Sequence, residues 1–360
     1  MRVLITGHLG YFGCVLTRVL QRAGHEVVGL DCDLYSGCDA GAVPSVPSKS
    51  IDIRDVEASD LSSVDAVAHL AALPEDFPGS LDPELIEQVN FEGTMRLAAC
   101  AKRAGVSRYL FASSCAVYGR SGDVLCEGSA VEPLTAYATA KLRCERELAR
   151  LADGGFAPVM LRNATLCGMS PRLRLDTVVN DFVASAVTSG RIQMKTAGRA
   201  WRPLLHVQDA AHAYAAVLAA SAERVHNQVI NIVDGRSNHR IIDLADLVCE
   251  SIPPCTRTPC RNQFDPRSYR VESTKLQRLC PDLQFRWPLQ RTIAELASAL
   301  PAMGLTAGDW RADRFRRVLH LAALVESGRL DDDLRRATNV TTRYQRTRRA
   351  EVRALALSLH

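Results

Sequence analysis

Residues 6–13 read TGHLGYFG, with glycines at 7, 10 and 13. Before them lies the apolar run VLIT (3–6); after them comes CVLTRVLQRAG (14–24), a helical pattern that stops at Ala-Gly. A strand feeding a glycine-rich turn that opens a helix is an arrangement that binds a dinucleotide. Gly7 permits the tight turn, Gly10 lets backbone approach a pyrophosphate, and Gly13 lets helix and strand pack closely. The helix then offers free N–H groups and the positive end of its dipole to the phosphates. Gly7, Leu9, Gly10, Tyr11, Phe12 and Gly13 are therefore candidates for cofactor binding. A ligand-free glycine turn would look the same, so the acid closing the next strand matters. That acid is Asp31, at the end of EVVGLD (26–31), placed to accept from the adenosine ribose hydroxyls. Cys32 and Asp33 follow it, with no adjacent Arg or Lys. A 2′-phosphate would meet negative charge there, which favours NAD over NADP. Asp52 and Ile53, after a further short strand in SIDIRD (50–55), are candidates for the adenine edge and face; a plain surface acid is the other reading of Asp52.

Outward from this loop, short apolar runs alternate with amphipathic stretches. Strands are expected at AVAHLAA (66–72), YLFASS (109–114) and APVMLR (157–162), with a helix at TMRLAACAKRAG (94–105). That rhythm predicts an α/β fold: a Rossmann-type doubly wound parallel sheet covered on both faces. Beyond residue 165, Pro, Arg and loop signals become denser, which suits a smaller C-terminal α/β substrate lobe. The expected division is 1–165 for NAD binding, 166–300 mainly for substrate, and 301–360 as a basic helical C-terminal extension. Segments near 200–235 are expected to return to the first unit, VINIVDG (229–235) as a strand of its sheet. A chain of 360 residues accommodates such an arrangement.

Composition narrows the function classes. No run of about 18 apolar residues occurs, and MRVLITG is too short for a secretion signal, so the expected compartment is the cytoplasm. Twelve cysteines are scattered without a C-x-x-C; Cys255 and Cys260 form a C-x4-C with no second pair or His cluster. Reduced core thiols are expected rather than a metal site. The net charge of +4 is uneven: twelve Arg against six acids between Arg311 and Arg353 give +6 there. The acids Asp331, Asp332 and Asp333 interrupt this stretch, which reads as a solvated or subunit-packing helix rather than a nucleic-acid arm.

A second feature is AYATAK (136–141), where Tyr137 precedes Lys141 by four residues and shares a helix face with it. A phenol beside an ammonium can move a proton near neutral pH; it can equally be a surface pair. The ordered set TGHLGYFG, HLAA (69–72), NFEGT (90–94), ASSCAVYG (112–119), YATAK (137–141), LRNATLCG (161–168) and WRPLLHVQD (201–209) settles the matter. It resembles the extended short-chain dehydrogenase/reductase family, in its NAD-dependent nucleotide-sugar epimerase/dehydratase branch, over most of residues 1–295. The resemblance implies that Tyr137 is the catalytic base and acid, that Lys141 supports it and holds the nicotinamide ribose, and that Ser114 hydrogen-bonds the reacting oxygen. It implies Asn90 beside the cofactor, with Leu70, Ala71 and Ala72 lining it. For the substrate it implies Arg202 on the diphosphate, with Arg267 or Arg270 as a second arginine and Asn180 as a phosphate donor. Thr165 departs from the asparagine that many members carry near the sugar.

The resemblance also bears on the reaction. Family dehydratases carry an Asp-Glu pair just after the Ser/Thr; here Cys115 and Ala116 stand there. Alanine moves no proton, and an unactivated thiol near pKa ~8.5 is a poor substitute. The expected activity is thus a nucleotide-sugar epimerase of the 4-epimerase type. Its expected partners are a nucleotide-diphosphate sugar and a second copy of the chain, paired through helices that include 137–151. A net oxidoreductase on a keto-sugar, a dehydratase using unorthodox groups and a non-catalytic NAD-binding protein remain as alternatives.

Overall fold

In the computed structural model, which describes residues 1–74, 81–258 and 265–336, seven parallel strands form the central sheet. They are β1 (Arg2–Thr6), β2 (Glu26–Asp31), β3 (Ser48–Ser50), β4 (Ala66–His69), β5 (Arg108–Ser114), β6 (Ala157–Asn163) and β7 (Gln228–Ile232). Their spatial order is 3-2-1-4-5-6-7, the doubly wound order whose direction reverses between β1 and β4. Every pairing in it is parallel. Parallel strands are buried on both faces, and β5 and β6 accordingly read as continuous apolar runs.

Among the helices that carry residues to a cleft at the sheet's carboxyl edge are α1 (Tyr11–Arg22), α2 (Ala136–Leu151), α3 (Val178–Ser189) and α4 (Arg317–Glu326). One apolar cluster packs α1 and the helix Val207–Ala219 on one sheet face, through Val15, Val19, Ala210 and Val217. On the other face a second cluster joins Leu97, Cys144 and Leu148 to Val67, Tyr109 and Phe111. A third core, with Val179, Val183, Leu244, Ile293 and Trp310, belongs to the smaller lobe. That lobe carries a three-stranded sheet (Asn238–Arg240, Trp201–His206, Thr165–Cys167) and a two-stranded one (Thr256–Thr258, Arg191–Gln193), and its strand Ser268–Val271 pairs with Arg120–Leu125 of the first part of the chain.

The return of the chain to the sheet at β7 follows the expectation for VINIVDG, shortened to Gln228–Ile232. The strand expected at 66–72 ends at His69, which frees Leu70, Ala71 and Ala72 as loop at the sheet's carboxyl edge. Seven of the described cysteines are buried, and all described cysteines are free thiols. Cys260 and the end of the basic extension, 337–360, lie outside the described residues. Among the described residues, no cluster of His, Cys, Asp and Glu is arranged to hold a metal, and no helix is long and apolar enough to cross a membrane.

Candidate functional site

The cleft, of about 470 Å³, runs along the carboxyl edge of the sheet, at the reversal point where α/β sheets bind ligands. The glycine loop forms its floor. Gly7 has φ +74, and a Cβ there would sit 2.8 Å from the Ala71 nitrogen. At Gly13 a Cβ would fall 2.0 Å from the Gly7 carbonyl oxygen, so the first turn of α1 can lie on the loop only with glycine. Gly10 caps α1 without a side-chain hydrogen bond, leaving the helix's first N–H groups open to an anion. Leu9, Tyr11 and Phe12 line the cleft. Tyr11 also ties the loop to the smaller lobe by donating to the Gly168 carbonyl at 2.7 Å.

Asp31 sits at the end of β2, inside the cleft wall. Its two oxygens accept from the backbone N–H groups of Leu9 (2.9 Å) and Asp33 (2.8 Å). Burial raises its pKa, and those hydrogen bonds and the nearby His8 oppose the rise. The fold adds one cation that sequence neighbours do not supply, beside one that they do. Arg172 reaches Asp33 at 3.1 Å from 139 residues away, and Arg54 pairs with Asp52 at 2.6 Å. The carboxylates Asp33 and Asp52 offset both guanidinium charges, and Asp31 keeps its place in the cleft wall. Ile53, Leu70, Ala71 and Ala72 line the same end of the cleft.

Asn90 does not reach the cleft. Its Oδ1 accepts from Leu73 N (2.7 Å) and its Nδ2 donates to Leu73 O (2.9 Å), so the buried amide holds the chain after β4 instead. It sits in a π-helical turn, Glu87–Glu92. The resemblance implies Asn90 beside the cofactor; here its amide holds Leu73, which lines the cleft.

At the other end, Thr135 caps α2 by accepting from Ala138 N, which places Tyr137 in the first turn at the cleft wall. Lys141 lies one turn on, 2% exposed, donating to the Ala112 carbonyl at 2.7 Å. Its nitrogen is 5.6 Å from the centre of the Tyr137 ring and 4.7 Å from that of Phe111. Burial draws its pKa down to about 8, against the opposing pull of Cys144 and Glu145. Ser114 ends β5; its Oγ accepts from Ala116 N at 3.1 Å, which leaves the hydroxyl proton free to donate. Ser114, Ala116, Tyr137, Lys141 and Thr165 line one space. Cys115 is 1% exposed, and burial pushes its thiol far above the ordinary range.

Behind this group, Glu145 receives a bidentate Arg162 (3.0 and 2.7 Å) and the Ser113 hydroxyl (2.5 Å). The pair is buried and braces α2 against β5 and β6. Asn163, at the end of β6, also lines the cleft. Its Nδ2 donates to Ser113 O and Tyr214 Oη, and its Oδ1 has no partner among the described residues. Sequence reading passed over it, although it stands inside the quoted LRNATLCG.

The smaller lobe contributes Arg202 and Arg267, which share Asp265 at 2.6 and 3.0 Å. Burial would raise the Asp265 carboxyl, but the two guanidinium groups outweigh it and hold it below the usual range. Arg270 faces elsewhere, donating to Gly122 O and lying 5.2 Å over the Trp201 ring, so of the two candidates Arg267 alone lines the cleft. Asn180, expected as a phosphate donor, is absent from the residues that line the cleft. It is fully buried in α3, with Oδ1 on Gly168 N and Nδ2 on Arg174 O, and it joins two loops outside the cleft lining. Two further lining residues, Arg317 and Leu334, come from the C-terminal segment.

Known proteins resemble this chain in sequence and in fold. A family model described as the NAD dependent epimerase/dehydratase family matches residues 3–233. A UDP-glucose 4-epimerase of Streptomyces lividans is 31% identical over 181 residues, 48% of this chain and 55% of that protein. The chain thus spans about half the length of that relative. Another UDP-glucose 4-epimerase, from Corynebacterium glutamicum, is 26% identical over 295 residues, 76% of this chain and 88% of that protein. The structure of MoeE5 in complex with UDP-glucuronic acid and NAD is similar with a TM-score of 0.73 and 26% identity, covering 84% of this chain and 99% of that one. With its glycine loop, its Tyr-Lys helix and a family match over 3–233, the chain belongs to the NAD-dependent epimerase/dehydratase family.

Proposed function

We propose that the protein is a nucleotide-sugar 4-epimerase, oxidising a sugar hydroxyl transiently to a ketone and returning the hydride to the opposite face. One observation carries this reading within the family: the sugar end of the cleft offers a Tyr-Lys proton relay and, directly after Ser114, no additional acid or base. Elimination of water needs such a further pair. Ala116 has no proton to move, and the buried, up-shifted Cys115 thiol supplies no thiolate.

The residues present fit NAD. The loop leaves room only for backbone at Gly7 and Gly13, the first N–H groups of α1 are open, and the Asn163 carbonyl lacks a donor among the described residues. Bound NAD supplies the hydride acceptor and, on return, the donor. The Tyr137 phenolate takes the proton from the sugar hydroxyl, and the nearby Lys141 ammonium stabilises that phenolate. Ser114 donates its free hydroxyl proton to the reacting oxygen. Arg202 and Arg267 bind the diphosphate with Asp265 fixing their orientation. Tyr137 then gives the proton back as the opposite alcohol forms. Small side chains at Ala116 and Thr165 leave the keto-sugar space to turn. In this reading residues 1–165 with β7 hold the cofactor, and 166–300 mainly hold the substrate. The chain works as a homodimer paired through α2, which sedimentation velocity tests.

Incubation of the holoenzyme with a panel of nucleoside-diphosphate sugars, read by NMR and mass spectrometry, tests the activity. Inversion at one carbon with unchanged mass is expected. A product lighter by one water, or NADH accumulating in step with product, would overturn it, as would NAD binding without turnover of any sugar.

A further inference from the structure

The C-terminal segment beyond the family-matched residues returns to the cofactor cleft. Helix α4 packs Leu321 and Leu324, and the turn after it packs Leu330 and Leu334, into the core cluster that holds Leu30, Ile53 and Val56. These belong to the strand that carries Asp31 and to the loop after β3, so the segment sits at the adenosine end. Polar ties fix it there. Arg54 donates to the Asp333 carbonyl at 3.0 Å, Arg335 pairs with Asp55, and Arg336 reaches the Cys32 carbonyl at 3.5 Å. Arg317 lies 4.3 Å over the Tyr35 ring, donates to Arg172 O and Leu173 O, and keeps its Nη1 without a hydrogen-bond partner among the described residues. It is 2% exposed and lines the cleft.

The turn itself is closed by a bridge between Leu330 and Arg336 and by Asp331, whose Oδ1 accepts from Asp333 N and Arg335 N. Leu334 stands in it with φ +56, a conformation that costs a side-chain-bearing residue energy. A leucine held in that conformation and aligned with Ile53 along the cleft wall does what glycine, the easier residue for such a turn, would not: it presents an apolar surface to the ligand.

We propose that residues 317–336 form a cofactor-retaining strap, with Leu334 closing on the adenine and Arg317 walling the adenosine end, so that NAD leaves only when the strap is displaced. This rests on the reading that the cleft binds NAD. It deepens the epimerase proposal, because hydride return requires the same cofactor molecule to stay through the cycle.

The test uses the full-chain holoenzyme loaded with isotope-labelled NAD and chased with unlabelled NAD, without sugar, reading protein-bound label by mass spectrometry. Leu334→Gly removes the apolar surface and keeps the turn, since glycine adopts that φ freely. Arg335→Ala cuts the tie to Asp55 at the surface. Release of label is expected to quicken about tenfold or more in Leu334→Gly and about threefold in Arg335→Ala, with NAD association little changed. Rates within about twofold of wild type in both variants, or a wild type that loses its NAD in one desalting step, would overturn the strap. Wild-type chain that takes up no NAD at any concentration would instead overturn the reading of the cleft, and the strap with it.

Discussion

Replacing Lys141 by methionine should raise the stability of the cofactor-free fold at neutral pH while removing turnover. The amine is 2% exposed, and burial lowers its pKa from the usual 10.5 to about 8. Holding the proton there at pH 7 therefore costs about 3 kcal/mol relative to an unfolded lysine. Between pH 8 and 10.5 the unfolded chain binds more protons than the folded one, so stability rises with pH across that window. Below it the penalty is present in full; above it the penalty is gone. Methionine keeps the volume and carries no proton. Its loss is the hydrogen bond to Ala112 O, worth about 1–1.5 kcal/mol. The variant should therefore gain about 1–2 kcal/mol at pH 7. Urea unfolding followed by circular dichroism, at intervals from pH 7 to pH 10, gives the sharper readout. Other titrating groups cancel in the difference between the two proteins, which should fall by about 2.5 kcal/mol over that range and so reverse in sign, leaving the wild type the more stable protein at pH 10. Parallel stability curves would refute the claim that Lys141 holds its charge in an unfavourable site.

Three further outcomes rest on the same geometry. Tyr137→Phe should lower kcat by about 10²–10⁴ while NAD affinity, measured by fluorescence titration, stays within about twofold. Arg162→Met should destabilise the fold by about 3–5 kcal/mol in denaturant unfolding, because it leaves the Glu145 carboxylate buried beside Ser113 without its partner. Gly13→Ala must move the Gly7 carbonyl away from a new Cβ 2.0 Å distant; calorimetry should show NAD binding weakened by about 2 kcal/mol or more.

Local patterns carried the first half of the architecture. The glycine turn, the acid closing β2 and the apolar runs of β4 to β6 are short-range features whose periods and punctuation are written in consecutive residues. Tyr137 and Lys141 were legible for the same reason, one helical turn apart behind a Thr cap. Where polar side chains point was less legible. Asn90 and Asn180 look like ligands in sequence, yet each spends its amide on backbone groups that only the folded chain brings near. The absence of a cation by Asp33 held for its sequence neighbours and failed in space, where Arg172 arrives from the smaller lobe. Arg270 and Arg267 differ by three positions, but a packed Trp201 turns one of them from the cleft. Leu334 and Arg317 carry no motif at all; their place depends on the path of the chain back across the sheet.

The most direct measurement tracks a deuterium placed at C4 of the nucleotide sugar, with the holoenzyme in ordinary water. If one NAD takes the hydride and gives it back while Tyr137 handles only the hydroxyl proton, the inverted product keeps the deuterium on that carbon and its mass does not change. Deuterium appearing in solvent, or remaining on reduced cofactor while a ketone accumulates, would contradict the account.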